Sequence, residues 1–215
     1  MDNRWEIIKF VDATYSQCCD AVKSNPQAAM PYVLERYPSY AINIISTYMD
    51  KANYVKHHKL TYEFLDSVIS RSTIAYANIL RIHPECYHKS LFIKASRKYA
   101  SFISSSAALR FIKSYSGIDD VVRQMLTESL PKINHPQHVL YYLYSYNLER
   151  FISEELVISV LRQPVPCNNT TQGILDIYLY GSNNKISARL NYELLRHNAL
   201  TFLYRAKISL RNGRG

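Results

Sequence analysis

The sequence predicts an all-α fold: an irregular multi-helix bundle or short helical array of about ten helices, closing on a long C-terminal helix. Three observations predict it. Apolar residues recur at helical spacing along most of the chain, and the short alternating runs that mark strands are almost absent. The 215 residues hold only five glycines, Gly117, Gly173, Gly181, Gly213 and Gly215, each at an expected break. Pro26, Pro31, Pro38, Pro84, Pro131 and Pro136 fall at or near helix starts, where a missing N–H removes no bond.

Taken in order, the expected helices begin with 3–23, 27–36 and 39–56, the last two following Pro26 and Pro38. Segments 60–82, 85–104 and 106–115 come next, with Pro84 opening the second. Gly117 separates these from 118–130, where Asp119 and Asp120 suit the positive end of a new helix. In 136–151, Leu140, Leu143, Tyr144, Leu148 and Phe151 make a core face, and Tyr141, Tyr142 and Tyr146 spill toward neighbouring helices. Segment 153–163 starts with the first-turn acids Glu154 and Glu155. QPVPCNNTTQG, 163–173, is the one long irregular stretch. Helices over 173–181 and 184–211 follow it.

This pattern reads as a main helical body over 1–163, a hinge at 164–172 and a C-terminal arm over 173–215, together one compact domain. No fixed repeat period emerges. YPSYAINII and HPECYHKSLF look alike as helix openings, but the likeness does not propagate. No signal architecture opens the chain and no apolar run approaches a membrane span, so the expected setting is soluble and cytoplasmic, with the nucleus open. Cys18, Cys19, Cys86 and Cys167 lack the framework of a secreted scaffold and read as reduced thiols.

Charge is segregated along the chain. The formal net charge is +9, yet residues 69–116 alone carry eight Lys/Arg against one acid, and residues 183–215 carry seven against one. The remainder is slightly acidic. Solubility does not require this segregation, because interspersed signs serve it well. On a helical wheel of 89–104, Phe92, Ala95, Tyr99, Phe102 and Ile103 converge on one side. Lys94, Arg97, Lys98 and Ser101 converge on the other, giving a purely basic outer face. Arg110 and Lys113 continue it. In the C-terminal segment Ala188, Tyr192, Leu195, Ala199, Phe202, Ala206 and Leu210 form a heptad-like seam, flanked by Arg189, Arg196, Lys207 and Arg211. The seam serves packing within a bundle or self-association with a second copy through 188–210.

Basic faces beside aromatic residues form the electrostatic footprint of a nucleic-acid binder. The candidate phosphate contacts are Lys89, Lys94, Arg97, Lys98, Arg110, Lys113, Arg189, Arg196, Lys207 and Arg211, with Tyr87, Tyr99 and Tyr115 as base-stacking candidates. No helix-turn-helix, zinc-finger or RNP-type pattern is present, which points to RNA or another backbone-read polyanion, as a viral accessory factor would bind, rather than sequence-specific DNA. The competing reading is an adaptor that buries a groove around an acidic or amphipathic partner helix. A membrane-surface role ranks below both, since the core needs the apolar faces.

Metal and catalytic signals are weak. HPECYH at 83–88 gathers His83, Glu85, Cys86 and His88, and His57 and His58 adjoin each other, but neither has the paired ligand spacing of a zinc site. His135 and His138 read as ordinary helix-start residues. There is no phosphate-cradling loop, dinucleotide fingerprint or nucleophile elbow, so no enzyme, no cofactor and no metal are expected.

Overall fold

The computed structural model describes residues 3–10, 12–130, 133, 136–162, 178 and 186–196. These residues are all-α, with no strand among them. The chain divides into two compact units, Met1–Tyr115 and Ser116–Gly215. That boundary falls inside the span 1–163 that the composition joins, while the hinge expected at 164–172 lies outside the described residues.

The first unit contains α1 (Ile7–Phe10), α2 (Tyr15–Ser24), α3 (Pro26–Arg36) and α4 (Pro38–Thr47). α5 (Tyr62–Arg71), α6 (Thr73–Ile82), α7 (Lys89–Lys98) and α8 (Ser106–Ser114) complete it, with short 3-10 turns between several of them. Local caps set the boundaries. Thr14 and Gln17 form a reciprocal capping box at α2, and Asn25 caps α3 just ahead of Pro26. The hydroxyls of Thr61, Ser72 and Ser105 accept the backbone N–H groups of Phe64, Ala75 and Ala108.

Four of the helices expected in this unit are shorter than their periodicity implies. Segment 3–23 breaks before Thr14, and 60–82 divides into α5 and α6 at Ser72. Segment 39–56 ends as a helix at Thr47 and continues as a 3-10 turn, Met49–Tyr54. Segment 85–104 holds α7 alone as a full helix; Tyr99 is extended, and a 3-10 turn, Ala100–Phe102, follows. Pro31 lies inside α3 rather than at a start, so α3 lacks one interior N–H donor.

α6 sits at the centre of this unit and packs against α5 and α8. Its Ala75, Tyr76, Ala77, Ile79 and Leu80 are almost wholly enclosed. An aromatic cluster fills the space beside it. Tyr76 stacks on Phe102, and Phe92 meets Phe102 and Phe111 at centroid separations of 5.2 and 6.2 Å. Cys18, Cys19 and Cys86 are buried free thiols; burial pushes Cys18 and Cys86 up to about 11, leaving them protonated and inert.

The second unit contains α9 (Asp119–Ser129), α10 (Pro136–Ser145), α11 (Glu154–Leu161) and α12, helical over 188–196. Asp119 and Asp120 occupy the first turn of α9, and Glu154 and Glu155 that of α11. Before α9, Gly117 takes φ +85°, which a side chain would strain. Segment 136–151 is not continuous: Asn147 adopts φ 56° and Leu148 N–H donates to Leu143 O, closing α10 with a left-handed cap. Tyr144, expected in the core, is exposed with Tyr141 and Tyr142, while Leu140, Leu143, Leu148 and Phe151 are buried. Ser187 caps α12 by accepting from Leu190 N–H, and its hydroxyl donates to Glu154. Glu193 meets Arg162 at the far end of α11, so α12 runs alongside α11 in the same direction.

Candidate nucleic-acid interface

α7 is amphipathic, as its sequence predicts. Leu91, Phe92, Ala95 and Ser96 face inward, and Lys89, Lys94, Arg97 and Lys98 are exposed. Its basic side is nevertheless engaged with α5. Lys94 forms an ion pair with Asp66, an acid 28 residues upstream that the wheel of α7 does not reveal. The Lys98 ammonium donates to the carbonyls of Ile69, at 3.1 Å, and Ser70, at the negative end of α5. Tyr62 and Ser90 join the same two helices through their hydroxyls at 3.2 Å. α7 therefore directs two cations onto its neighbour.

The two roles of these lysines differ electrostatically. Asp66 neutralises Lys94, whereas carbonyl acceptors leave the full charge of Lys98 in place. Lys89, Arg110 and Lys113 are exposed and form no hydrogen bond or ion pair with a described residue. No acid lies between Glu85 and Asp119, so the surface of this stretch keeps a positive balance.

The aromatic candidates separate. Tyr99 leaves the helix as its C-cap and is exposed, correcting its expected place on the apolar face. Tyr87 is half-buried: its ring lies 5.0 Å from that of Tyr115 and 5.8 Å from that of Phe111. Burial raises the Tyr87 phenol above its ordinary value. Tyr115 also packs on Phe111 at 5.0 Å. These two rings extend the core cluster, and Tyr99 alone of the three has an open face.

In the second unit, Arg189 and Arg196 are exposed. Arg189 sits 3.9 Å from Glu155, and Arg196 lies 3.4 Å from Glu193. The Arg162 guanidinium hydrogen-bonded to Glu193, with Arg196 beside it, holds that carboxyl below the usual carboxylate range. Arg150 pairs with Asp119 at 3.0 Å, so acids of this unit draw in its own cations. Lys207 and Arg211 lie outside the described residues.

His83 and Glu85 of HPECYH form a clasp with His57. Glu85 Oε1 lies 3.2 Å from His57 Nδ1 and 3.6 Å from His83 Nδ1, and His83 Nε2 is 3.0 Å from Ala52 O. Among the described residues no group of three or more His, Cys, Asp and Glu side chains is disposed to hold a metal ion.

Sequence reasoning missed a groove of about 950 Å³ on the first unit, where Pro31, Leu34 and Val55 underlie Lys56, His57, His58 and Lys59. A smaller hollow of about 370 Å³ adjoins it through Pro31, Leu34, Glu35 and Lys59, adding Ile42 and Phe64. The run KHHK at 56–59 was the available signal. Its three-residue 3-10 turn, His57–Lys59, points the basic side chains outward, which helical periodicity does not indicate.

Comparison with protein families, with curated proteins and with solved structures finds no match to this chain. Among the described residues no helix is long and apolar enough to cross a membrane.

Proposed function

We propose that this is a non-enzymatic binding protein that takes up RNA, or another polyanion, through its phosphate backbone. The observation that carries the reading is the acid-free stretch between Glu85 and Asp119, along which Lys89, Arg110 and Lys113 are exposed with no acid partner among the described residues. Lys98 adds its uncompensated field, and Tyr99 offers one open ring for an unpaired base. Lys94 contributes less, because Asp66 answers its charge. Arg189 and Arg196 supply a second, smaller set in the other unit. Each phosphate contact releases condensed counterions, giving affinity without sequence preference.

Fluorescence anisotropy with short single- and double-stranded RNA across a salt series tests the proposal. Binding that weakens steeply with salt, and that disappears in Lys89→Glu/Arg110→Glu/Lys113→Glu at unchanged helical circular dichroism, is expected. Absence of binding at the lowest salt overturns it.

The groove over Pro31 and Leu34 favours a second reading, an adaptor for an amphipathic partner helix with acids beside its apolar stripe. On that reading Lys56→Glu/Lys59→Glu abolishes partner capture, while the triple change on α7 and α8 spares it.

A further inference from the structure

The groove over Pro31 and Leu34 and the hollow beside it form one trough on the first unit. Pro31 and Leu34 lie one turn apart on α3, and Pro38 and Ile42 one turn apart on α4, so two successive helices build its floor. Val55 continues the floor at the wide end and Phe64 at the narrow end. Charge changes sign along this trough. Glu63 lines the narrow end alone, Lys56, His57 and His58 line the wide end alone, and Glu35 and Lys59 stand where the two meet. Lys56, Lys59, Glu35 and Glu63 are exposed, and none of their side chains forms a hydrogen bond or ion pair with a described residue. His57 differs, because Glu85 lies 3.2 Å from it and also meets His83. The open charges are therefore an acid at one end, an ammonium at the other and one of each between.

We infer that the trough takes an amphipathic helix in one direction, with its C-terminal end over Lys56 and its N-terminal end over Glu63. This rests on the adaptor reading of the groove, which it deepens, and it uses none of the α7 or α8 cations. The occupant is a helix because the described residues contain no strand, so the trough offers no strand edge. A chain laid over the apolar floor must satisfy its own backbone groups, and a helix does so. The direction follows from charge. The last carbonyls of a helix carry partial negative charge, and its first N–H groups carry partial positive charge. An acid in the partner's last turn adds to the attraction of Lys56, and a cation in its first turn meets Glu63. The opposite direction would set the partner's terminal carbonyls against Glu63. The segment recognised is basic at its start, acidic at its end and apolar along one stripe. Such a charge order weakens an isolated helix, so this partner gains its helicity on the trough.

Two end-blocked peptides of about 15 residues, roughly four turns, test it. They share one composition and one leucine stripe; the first has lysines in its first turn and glutamates in its last, and the second has these exchanged. Fluorescence anisotropy against the full chain at low salt should show the first bound at least about tenfold more tightly. The second is the better helix on its own, so helicity does not produce that order. Added salt should shrink the ratio toward one. Lys56→Glu/Glu63→Lys exchanges the end charges at exposed positions and should reverse the order at unchanged helical circular dichroism. Equal affinities, tighter binding of the second peptide, a ratio indifferent to salt, or an order that the exchange leaves in place overturns the inference and spares the adaptor reading. Binding of neither peptide overturns both.

Discussion

Tyr76 is the largest fully enclosed side chain of the first unit, and its hydroxyl, beside the backbone N–H of His88, forms no well-aligned hydrogen bond with a described residue. Burial raises its phenol far above the ordinary value, so it stays neutral at any physiological pH. A poorly satisfied buried hydroxyl is a burden to the fold, while the ring that carries it stacks on Phe102. Tyr76→Phe keeps the ring and removes the hydroxyl. Chemical denaturation of this variant should show stability unchanged or raised, by up to about 1 kcal/mol. A clear loss would mean that the contact with the His88 backbone stabilises the fold. Glu193 presents the opposite case. Its carboxyl is held low by the Arg162 guanidinium, so the folded state favours the ionised form more than the unfolded state does. That stability is present above the unfolded carboxylate value, about 4.3, and is lost as pH falls through the lower folded value. Glu193→Gln should weaken the second unit at neutral pH and flatten its acid-side loss of helical circular dichroism. The sequence places Glu193 in a basic segment but does not identify its partner, because Arg162 lies 31 residues away.

Helical elements were legible where an apolar face runs without interruption, and α3, α8, α9 and α11 lie close to their expected positions. The misplaced ends share a physical cause. Ser72 and Thr14 sit among residues that could continue a helix, and a hydroxyl cap is indistinguishable there from any solvent-facing position. Only packing of α6 beneath α5 makes the chain turn at Ser72. Tyr99 and Asn147 likewise end helices without a glycine or proline to mark them. The candidate surface was partly legible for the same reason. Charge composition located the cations, but the Asp66 and α5 carbonyl partners of Lys94 and Lys98 come from another element. Ser72→Ala deprives Ala75 N–H of its acceptor and should destabilise the first unit by about 1 kcal/mol. For a unit of this size that corresponds to a fall of roughly 4–8 °C in the thermal midpoint. A single continuous helix over 60–82 would make the same change neutral or stabilising, since alanine is the better helix former.

At the scale of the whole molecule, the question is whether a net charge of +9 acts as a diffuse cloud or as a few fixed contacts. The two alternatives respond differently to charge removal. A diffuse field depends on total charge, so neutralising any one exposed cation should weaken RNA binding by the same amount. Fixed contacts depend on place. On the proposed surface, Lys113→Gln or Arg110→Gln should each lower the slope of log affinity against log salt by about 0.7–0.9, the share of one phosphate. Lys94→Gln should change it much less, because it removes a cation whose charge Asp66 already balances. Asp66→Asn then becomes informative: freeing Lys94 should strengthen binding and steepen the salt dependence, although it adds no cation to the chain. Equal slopes for all three single-cation variants would assign the affinity to bulk charge and leave the groove over Pro31 and Leu34 as the stronger site.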